Sequence, residues 1–571
     1  MQIIGQLVDI LQRNIYPAVV TIEAGRIQSI TPLSTTISAD AAEPAPILLP
    51  DDTPYILPGF IDAHVHIESS LLTPSEFARL AVTHGTVSTV SDPHEIANVC
   101  GLPGVEFMIR NGNSVPFHFN FGAPSCVPAT RFETAGAVIE AAKVAQLLAR
   151  DDIKYLSEMM NFPGVLHKDP EVMAKIHFAQ RVGKPIDGHA PGLRGEQARQ
   201  YIAAGISTDH ECTTAAEALD KLGAGMQILI REGSAARNFE ALIGLLNDHP
   251  NQMMFCTDDC HPDYLIAGHI DRLCARAVAK GIDVFKVLRA ACVNPLIHYR
   301  LNHGLLRPGH SADLILVEDL RNFRVLKTII RGMVVAENGV THIPSTPPDR
   351  HPINQFNCNP HTPEDFAYIL NKWGEEENVE QVYVIEALDG QLITNRLIVP
   401  VADFLPDDGR LHANPEKDLL KIVVVNRYHP NRPVAKSFIT NFGLRRGALA
   451  SSVAHDSHNI VAVGVDDESI CRAVNLVIAQ HGGLACVDPG VAAAEAVPAE
   501  LVLPLPVAGL MSQDEGYKVA AAYSAIDRLA KNLGSPLAAP FMTLSFMALL
   551  VIPHLKLGDL GLFDGDAFKL L

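Results

Sequence analysis

From Ile56 onward the chain alternates short apolar or β-branched runs with longer stretches of helical spacing. That alternation is the pattern of βα units around a parallel sheet. Eight runs read as strands: 59–64, 86–91, 117–121, 155–159, 185–189, 206–210, 227–231 and 253–258. Between them Ala135–Arg150, Pro170–Val182 and Gly195–Ala204 carry helical periodicity. Eight such units predict an α/β fold of the (β/α)8, TIM-like type. Ahead of the barrel, residues 1–55 show short alternating segments, Ala18–Ile22 and Arg26–Ile30, followed by a Pro/Ala/Asp-rich stretch. After it, Gly304–Val317 returns to strand patterning and is expected to rejoin the N-terminal unit. The expected division is a small β-rich domain from 1–55 with 304–345, a barrel over 56–303, a Pro-rich linker over 346–364 and a C-terminal α+β domain over 365–571.

Polar residues gather where the barrel strands end, which is the active-site face of such a barrel. His64-Val65-His66 closes the first strand, and residues i and i+2 of a strand point the same way, so both imidazoles reach one ion. Glu158, His189, His210 and Asp258 end the fourth, fifth, sixth and eighth strands. Four histidines and two carboxylates exceed the three protein ligands of one catalytic zinc. They suit two ions about 3.5–4 Å apart with Glu158 between them. Mixed nitrogen and oxygen donors suit manganese, iron or zinc rather than a thiolate site.

Composition removes several alternatives. The 571 residues are 48% hydrophobic and 19% charged, enough for a large core. Mean hydropathy is +0.14, yet no run of about 18 uncharged apolar residues occurs, so no membrane span is expected. The formal charge of −19, with 45 basic against 64 acidic residues, one Trp and no basic stripe, argues against nucleic acid and for a small-molecule substrate. Met1–Gly5 opens without the basic and apolar regions of a secretory signal, and the 10 cysteines form no C-x-x-C pair. Free thiols in the cytoplasm are the expectation. Other chemistries lack their motifs. His66-Ile67-Glu68 matches half of the zinc deaminase signature but P-C-x-x-C is absent, His94-Glu95 lacks the second histidine of H-E-x-x-H, and there is no Walker A, G-x-G-x-x-G or G-x-S-x-G string.

Pro58–His66 resembles the first-strand signature of the amidohydrolase superfamily, and the closer likeness is to the metal-dependent bacterial adenine deaminase family. The strings that carry it are Asp62–Ser70, Asp92–Ile96, Glu158–Asn161, Asp187–Gly192, Arg231–Asn238, Cys256–Asp259, Ser452–Ile460, Ala508–Ser512 and Gly561–Gly565. They run from about residue 56 to the C-terminus. The resemblance implies hydrolysis of adenine to hypoxanthine and ammonia in purine salvage. It implies two divalent ions, usually Mn2+ or iron with Zn2+ possible, and Glu158 in place of a carbamylated lysine. A homo-oligomer, dimer or tetramer, is common for such barrels. In that chemistry a metal-activated hydroxide attacks C6, and Asp258 takes the water proton and passes it to the leaving amine. N1 then needs a donor, for which Glu95, His94 and Glu68 remain open. Arg231 and Glu232 are expected to pair with each other or to orient the base. Ser457 and His458, within His455–Asn459, are expected to complete the pocket from the C-terminal domain, as is Met511-Ser512. Ser69 and Ser70 read as helix caps, and Cys260–Tyr264 as a segment touching selectivity. The competing readings are hydrolysis of a cyclic amide or imide, and a catalytically silent metal-binding barrel.

Overall fold

The computed structural model describes residues 1–33, 50, 52–369, 380–407, 409–490 and 500–571. Eight parallel strands form the barrel: Phe60–Val65, Thr86–Ser91, His118–Ala123, Ile153–Met159, Ile186–Gly188, Thr208–Asp209, Gln227–Arg231 and Met253–Cys256. We call them strands 1 to 8. Strands 1–5 pair in order, as do 6–8. Ser207 N donates to Ile186 O at 2.9 Å across one seam. Asp258 N donates to His64 O at 2.9 Å, and His66 N to Asp258 O at 3.1 Å, across the other. Strands 1 and 2 are buried along their whole length. That double-sided burial is why they read as continuous apolar and β-branched runs rather than as alternation. Ala63, Val90, Tyr155, Leu229, Met254 and Cys256 fill the barrel interior with Tyr299.

The helices between strands follow local signals. Pro170–Arg181 starts at Asp169, whose carboxylate accepts from Glu171 N and Val172 N at 2.9 and 3.0 Å, with proline at the first helical position. The helix expected over Ala135–Arg150 is shorter, Ala141–Leu148. Its first residues instead run against the helix His94–Cys100, where a β-carbon on Gly136 would stand 2.2 Å from Val99 O.

A separate eight-stranded sheet combines Gln2–Asp9, Asn14–Glu23, Arg26–Pro32 and Tyr55–Pro58 with Leu314–Val317, Val325–Ile330, Met333–Glu337 and Val340–Thr341. The two chain segments join where Leu314–Val317 lies antiparallel to Tyr55–Pro58. Most of the Pro/Ala/Asp-rich stretch, 34–49, lies outside the described residues. Beyond the barrel a second eight-stranded sheet, within 381–504, is antiparallel except where Gln381–Ala387 meets Ala435–Thr440. Helices Asp467–Ala479, Gly516–Asn532 and Pro540–Phe546 accompany it. One continuous apolar cluster holds barrel residues such as Leu72 and Leu80 together with Phe541 and Leu549. The C-terminal unit therefore sits on the barrel, and Gly516 N donates to Glu76 Oε2 at 3.0 Å across the contact.

Lys221 fastens the strand ends that matter most. Its Nζ, 1% exposed, donates to Asp209 Oδ2 at 2.7 Å, Glu217 Oε1 at 2.8 Å and Ala190 O at 2.8 Å. Ala190 N in turn donates to Asp209 Oδ1 at 3.0 Å. The loops after strands 5 and 6 are thereby tied together. Lys221→Met strands two buried carboxylates, so we expect a loss of about 3–5 kcal/mol in denaturant unfolding. Adding Asp209→Asn should recover part of it; an unchanged melt in the single variant would show the network to be inconsequential.

Candidate active site

The strand ends converge on Glu158. Its Oε2 lies 3.0 Å from His189 Nδ1, 3.1 Å from His210 Nε2 and 3.8 Å from His64 Nε2, and its Oε1 lies 3.4 Å from His66 Nε2. His64 and His66 face each other, Nε2 to Nε2, at 3.2 Å. Asp258 Oδ1 stands 3.4 and 3.1 Å from those two nitrogens. All six are buried. Burial alone would raise the Glu158 carboxyl, but His189, His210 and His66 outweigh it and hold the group well below the usual carboxylate range. Asp258 is likewise held well below its usual range: burial opposes, while Arg231, His210 and His64 prevail.

These spacings fit a shared cation. Ligand bonds of about 2.1 Å place neighbouring donors about 3.0–3.4 Å apart around one ion. Two ring nitrogens facing at 3.2 Å, with carboxylate oxygens at similar distance, have that arrangement. The donors are imidazole and carboxylate, without thiolate.

Above the cluster lies a small cavity. The barrel lines it with His94, Glu95, Glu211 and Asp259, and the C-terminal unit with Leu392, His455, Asp456, Phe546 and Leu549. His94 Nδ1 is 3.0 Å from Asp92 Oδ2, and its Nε2 is 3.4 Å from Glu95 Oε1 and 3.6 Å from Asp456 Oδ1. Neither ring nitrogen makes a hydrogen bond within the protein. Glu95 accepts from His455 Nδ1 on one oxygen and from His458 Nε2 on the other. His458 Nδ1 accepts from Ala454 N at 3.2 Å, which leaves Nε2 as the donor. Burial opposes ionisation of Glu95, yet His455, His458 and His94 hold it well below the usual range. Burial likewise opposes the charge on His455, and Glu95 and Asp259 raise it to about 9.

Several expectations need correction. Arg231 does not pair with Glu232 and does not line the cavity. Its Nη1 donates to Asp258 Oδ2 at 2.7 Å and to Glu211. Glu232 points the other way, to Arg276 Nη1 at 2.7 Å, because neighbours along a strand face opposite sides. Glu68 lies behind the cavity wall, where Oε1 accepts from Ile96 N at 3.1 Å and burial raises its carboxyl to about 7. Ser457 turns away, with its Oγ accepting from Asn459 Nδ2 at 3.2 Å. His458 meets the site only through Glu95. Ser69 donates to Asp259 Oδ1 at 2.5 Å and Ser70 to Ile67 O at 2.6 Å, so neither caps the helix Pro74–Ala81. Ser512 N donates to Leu71 O at 2.8 Å, and neither Met511 nor Ser512 reaches the cavity. His261 packs its ring on Tyr523 at 4.4 Å and does not line the cavity either. Asp92, Glu211, Asp259 and Asp456 were missed. The signal for them is adjacency: each sits within two residues of a histidine or carboxylate already singled out.

Residues 55–335 match the amidohydrolase family, and residues 391–569 match the adenine deaminase C-terminal domain. The chain is 52% identical to an adenine deaminase from Salinibacter ruber over 99% of this chain and 98% of that one. It is 51% identical to one from Sulfurovum, covering 100% and 99% of the two chains, and 49% identical to one from Methanosarcina mazei, covering 99% and 98%. The chain belongs to the adenine deaminase family. The barrel match contains the whole Glu158 cluster, and the C-terminal match contains Leu392, His455, Asp456, Phe546 and Leu549. Both family regions therefore build this one cavity. Amidohydrolase membership implies a divalent metal, and the donor cluster fits one.

The Glu95–His455 pair links the two regions and dictates a pH response. His455 is raised in the fold, so its contribution is fully present below the unfolded value near 6.5 and is lost as pH rises through about 9. Glu95 is depressed, so its contribution is present above the unfolded value near 4.3 and is lost as pH falls. Melting temperature should thus decline between pH 6.5 and 9. His455→Gln should flatten that decline; an equal slope in the variant would disprove the assignment.

Proposed function

We propose that this chain hydrolyses adenine to hypoxanthine and ammonia at the Glu158 cluster, using a pair of divalent ions, with manganese the favoured metal and iron or zinc alternatives. The observation that carries the reading is one cavity walled by His66, Glu158, His189, His210 and Asp258 on the barrel side and by His455, Asp456 and Phe546 on the other. His64, His66 and Asp258 would hold one ion and His189 and His210 the other, with Glu158 shared. When bound, such a pair would lower the pKa of water to about 7 and offset the carboxylate charge.

The protein's own groups handle the protons. Asp258 takes a proton from the attacking water and delivers it to the departing amine as the C6–O bond forms and the C6–N bond breaks. Arg231 supports this by holding Oδ2, which orients Oδ1 toward the cluster. Negative charge develops on the ring nitrogen N1 during attack. Of the three candidate donors we assign His94, because it lines the cavity with its Nε2 free of a hydrogen bond while Asp92 stands beside Nδ1. Glu95, pinned by two histidines, is an acceptor and suits an N–H of the exocyclic amine. Glu68 lies outside the cavity lining. Apolar Met160, Leu392, Phe546 and Leu549 supply faces for a flat ring and exclude water.

The same reading places the chain in cytoplasmic purine salvage as a homo-oligomer. Free cysteines support the compartment, and no described helix is long and apolar enough to cross a membrane. Asp258→Asn should lower kcat for adenine by about 10²–10⁴ at saturating manganese while the fold persists. His94→Gln should lose about 10² with metal content unchanged. Stopped assays of ammonia release with metal analysis check both. Retention of full turnover in either variant would remove that residue from the mechanism.

A further inference from the structure

Lys556 lies on the strand Leu555–Gly558 and is fully buried. Its Nζ donates to the backbone carbonyls of Leu392 at 2.5 Å and Phe546 at 2.9 Å. Two other deeply buried lysines, Lys221 and Lys421, each pair with a carboxylate. Lys556 has none among the described residues, and burial pulls its amine down to about 7. A buried cationic group without an acid is unfavourable, so its retention calls for a local reason. In either protonation state the amine has enough hydrogens to hold both carbonyls.

Both carbonyls belong to walls of the active-site cavity. Leu392 has a second role. A neighbouring small cavity, lined by Pro191, Thr213, Ala236 and Ile552 among others, also borders it. Among the described residues, Leu392 and Glu211 border both spaces. The strand carrying Lys556 is itself anchored to the two wall segments. Thr394 Oγ1 donates to Leu555 O at 2.8 Å, and Leu557 N donates to Met547 O at 3.0 Å.

We propose that Lys556 is a positioning residue for substrate binding: by pinning the backbones of Leu392 and Phe546 it sets the spacing of the apolar walls around the base and keeps the two cavities apart. This rests on the adenine reading above. The hydrogen bonds of Lys556 go to Leu392 and Phe546 and not to the donor cluster or the proton carriers, so its loss should appear in binding rather than in chemistry.

The test compares Lys556→Met, Leu392→Ala and Lys421→Met in the manganese-loaded full chain. KM for adenine is measured together with equilibrium binding of hypoxanthine. Lys556→Met and Leu392→Ala should each raise KM and the hypoxanthine Kd by about tenfold while kcat stays within about threefold. The double variant should be no worse than the weaker-binding single, because both act through one wall. Lys421→Met should shift the melt and leave KM unchanged. The proposal is overturned if Lys556→Met changes stability alone, as Lys421→Met does, or if the two effects add fully. Should Lys556→Met not fold, an unaltered KM in Leu392→Ala overturns it equally. A wild-type chain that ignores adenine would instead sink the functional reading.

Discussion

A carboxylate shut away from water governs this molecule. Glu158 sits among four imidazoles with Asp258 across from it, all buried. Such a concentration of charge is unfavourable unless every donor has a positively charged partner. Strands 1, 5 and 6 bring the imidazoles to Glu158, and strand 8 leads into the second carboxylate, Asp258, which faces two of them. Behind them the protein places charges that compensate in turn. Arg231 bridges Asp258 and Glu211, and Lys221 bridges Asp209 and Glu217.

The second carboxylate centre, Glu95, explains why the C-terminal unit belongs to the site. Its two oxygens are taken by His455 and His458, which come from the loop between Ala448–Ser451 and Ile460–Gly464. Within the barrel only His94, with Nε2 3.4 Å from Oε1, stands beside Glu95 among the described residues. From the C-terminal unit, His455, Asp456, Leu392, Phe546 and Leu549 line the cavity. The interface between the two units thus forms part of the site, and Lys556 extends the same logic to the apolar walls.

Much of this was legible in the residues themselves. A strand has a two-residue period, so His64 and His66 must share a face, and the end of each barrel strand marks where a polar group is useful. The eight strands were recoverable because buried parallel strands leave continuous apolar runs. The period fails where strands stop. Strand 8 ends at Cys256, and Asp258 has φ of 57°, so alternation no longer says where Asp258 and Asp259 point. Strand 6 is only Thr208–Asp209, which leaves both His210 and Glu211 free to turn inward. Conversely, the same period rule places Arg231 and Glu232 on opposite faces, as found. The pairing of Glu95 with His455 spans 360 positions and depends on docking of two units, which no local pattern encodes.

The most direct test is titration of manganese into metal-free protein while ammonia release from adenine and from adenosine is followed. The expected result is no turnover without metal, activity on adenine rising until two ions are bound per chain, and no reaction with adenosine. Full turnover by the metal-free protein, or none from a chain carrying both ions, would contradict the assignment of the Glu158 cluster as a metal-dependent adenine deaminase site.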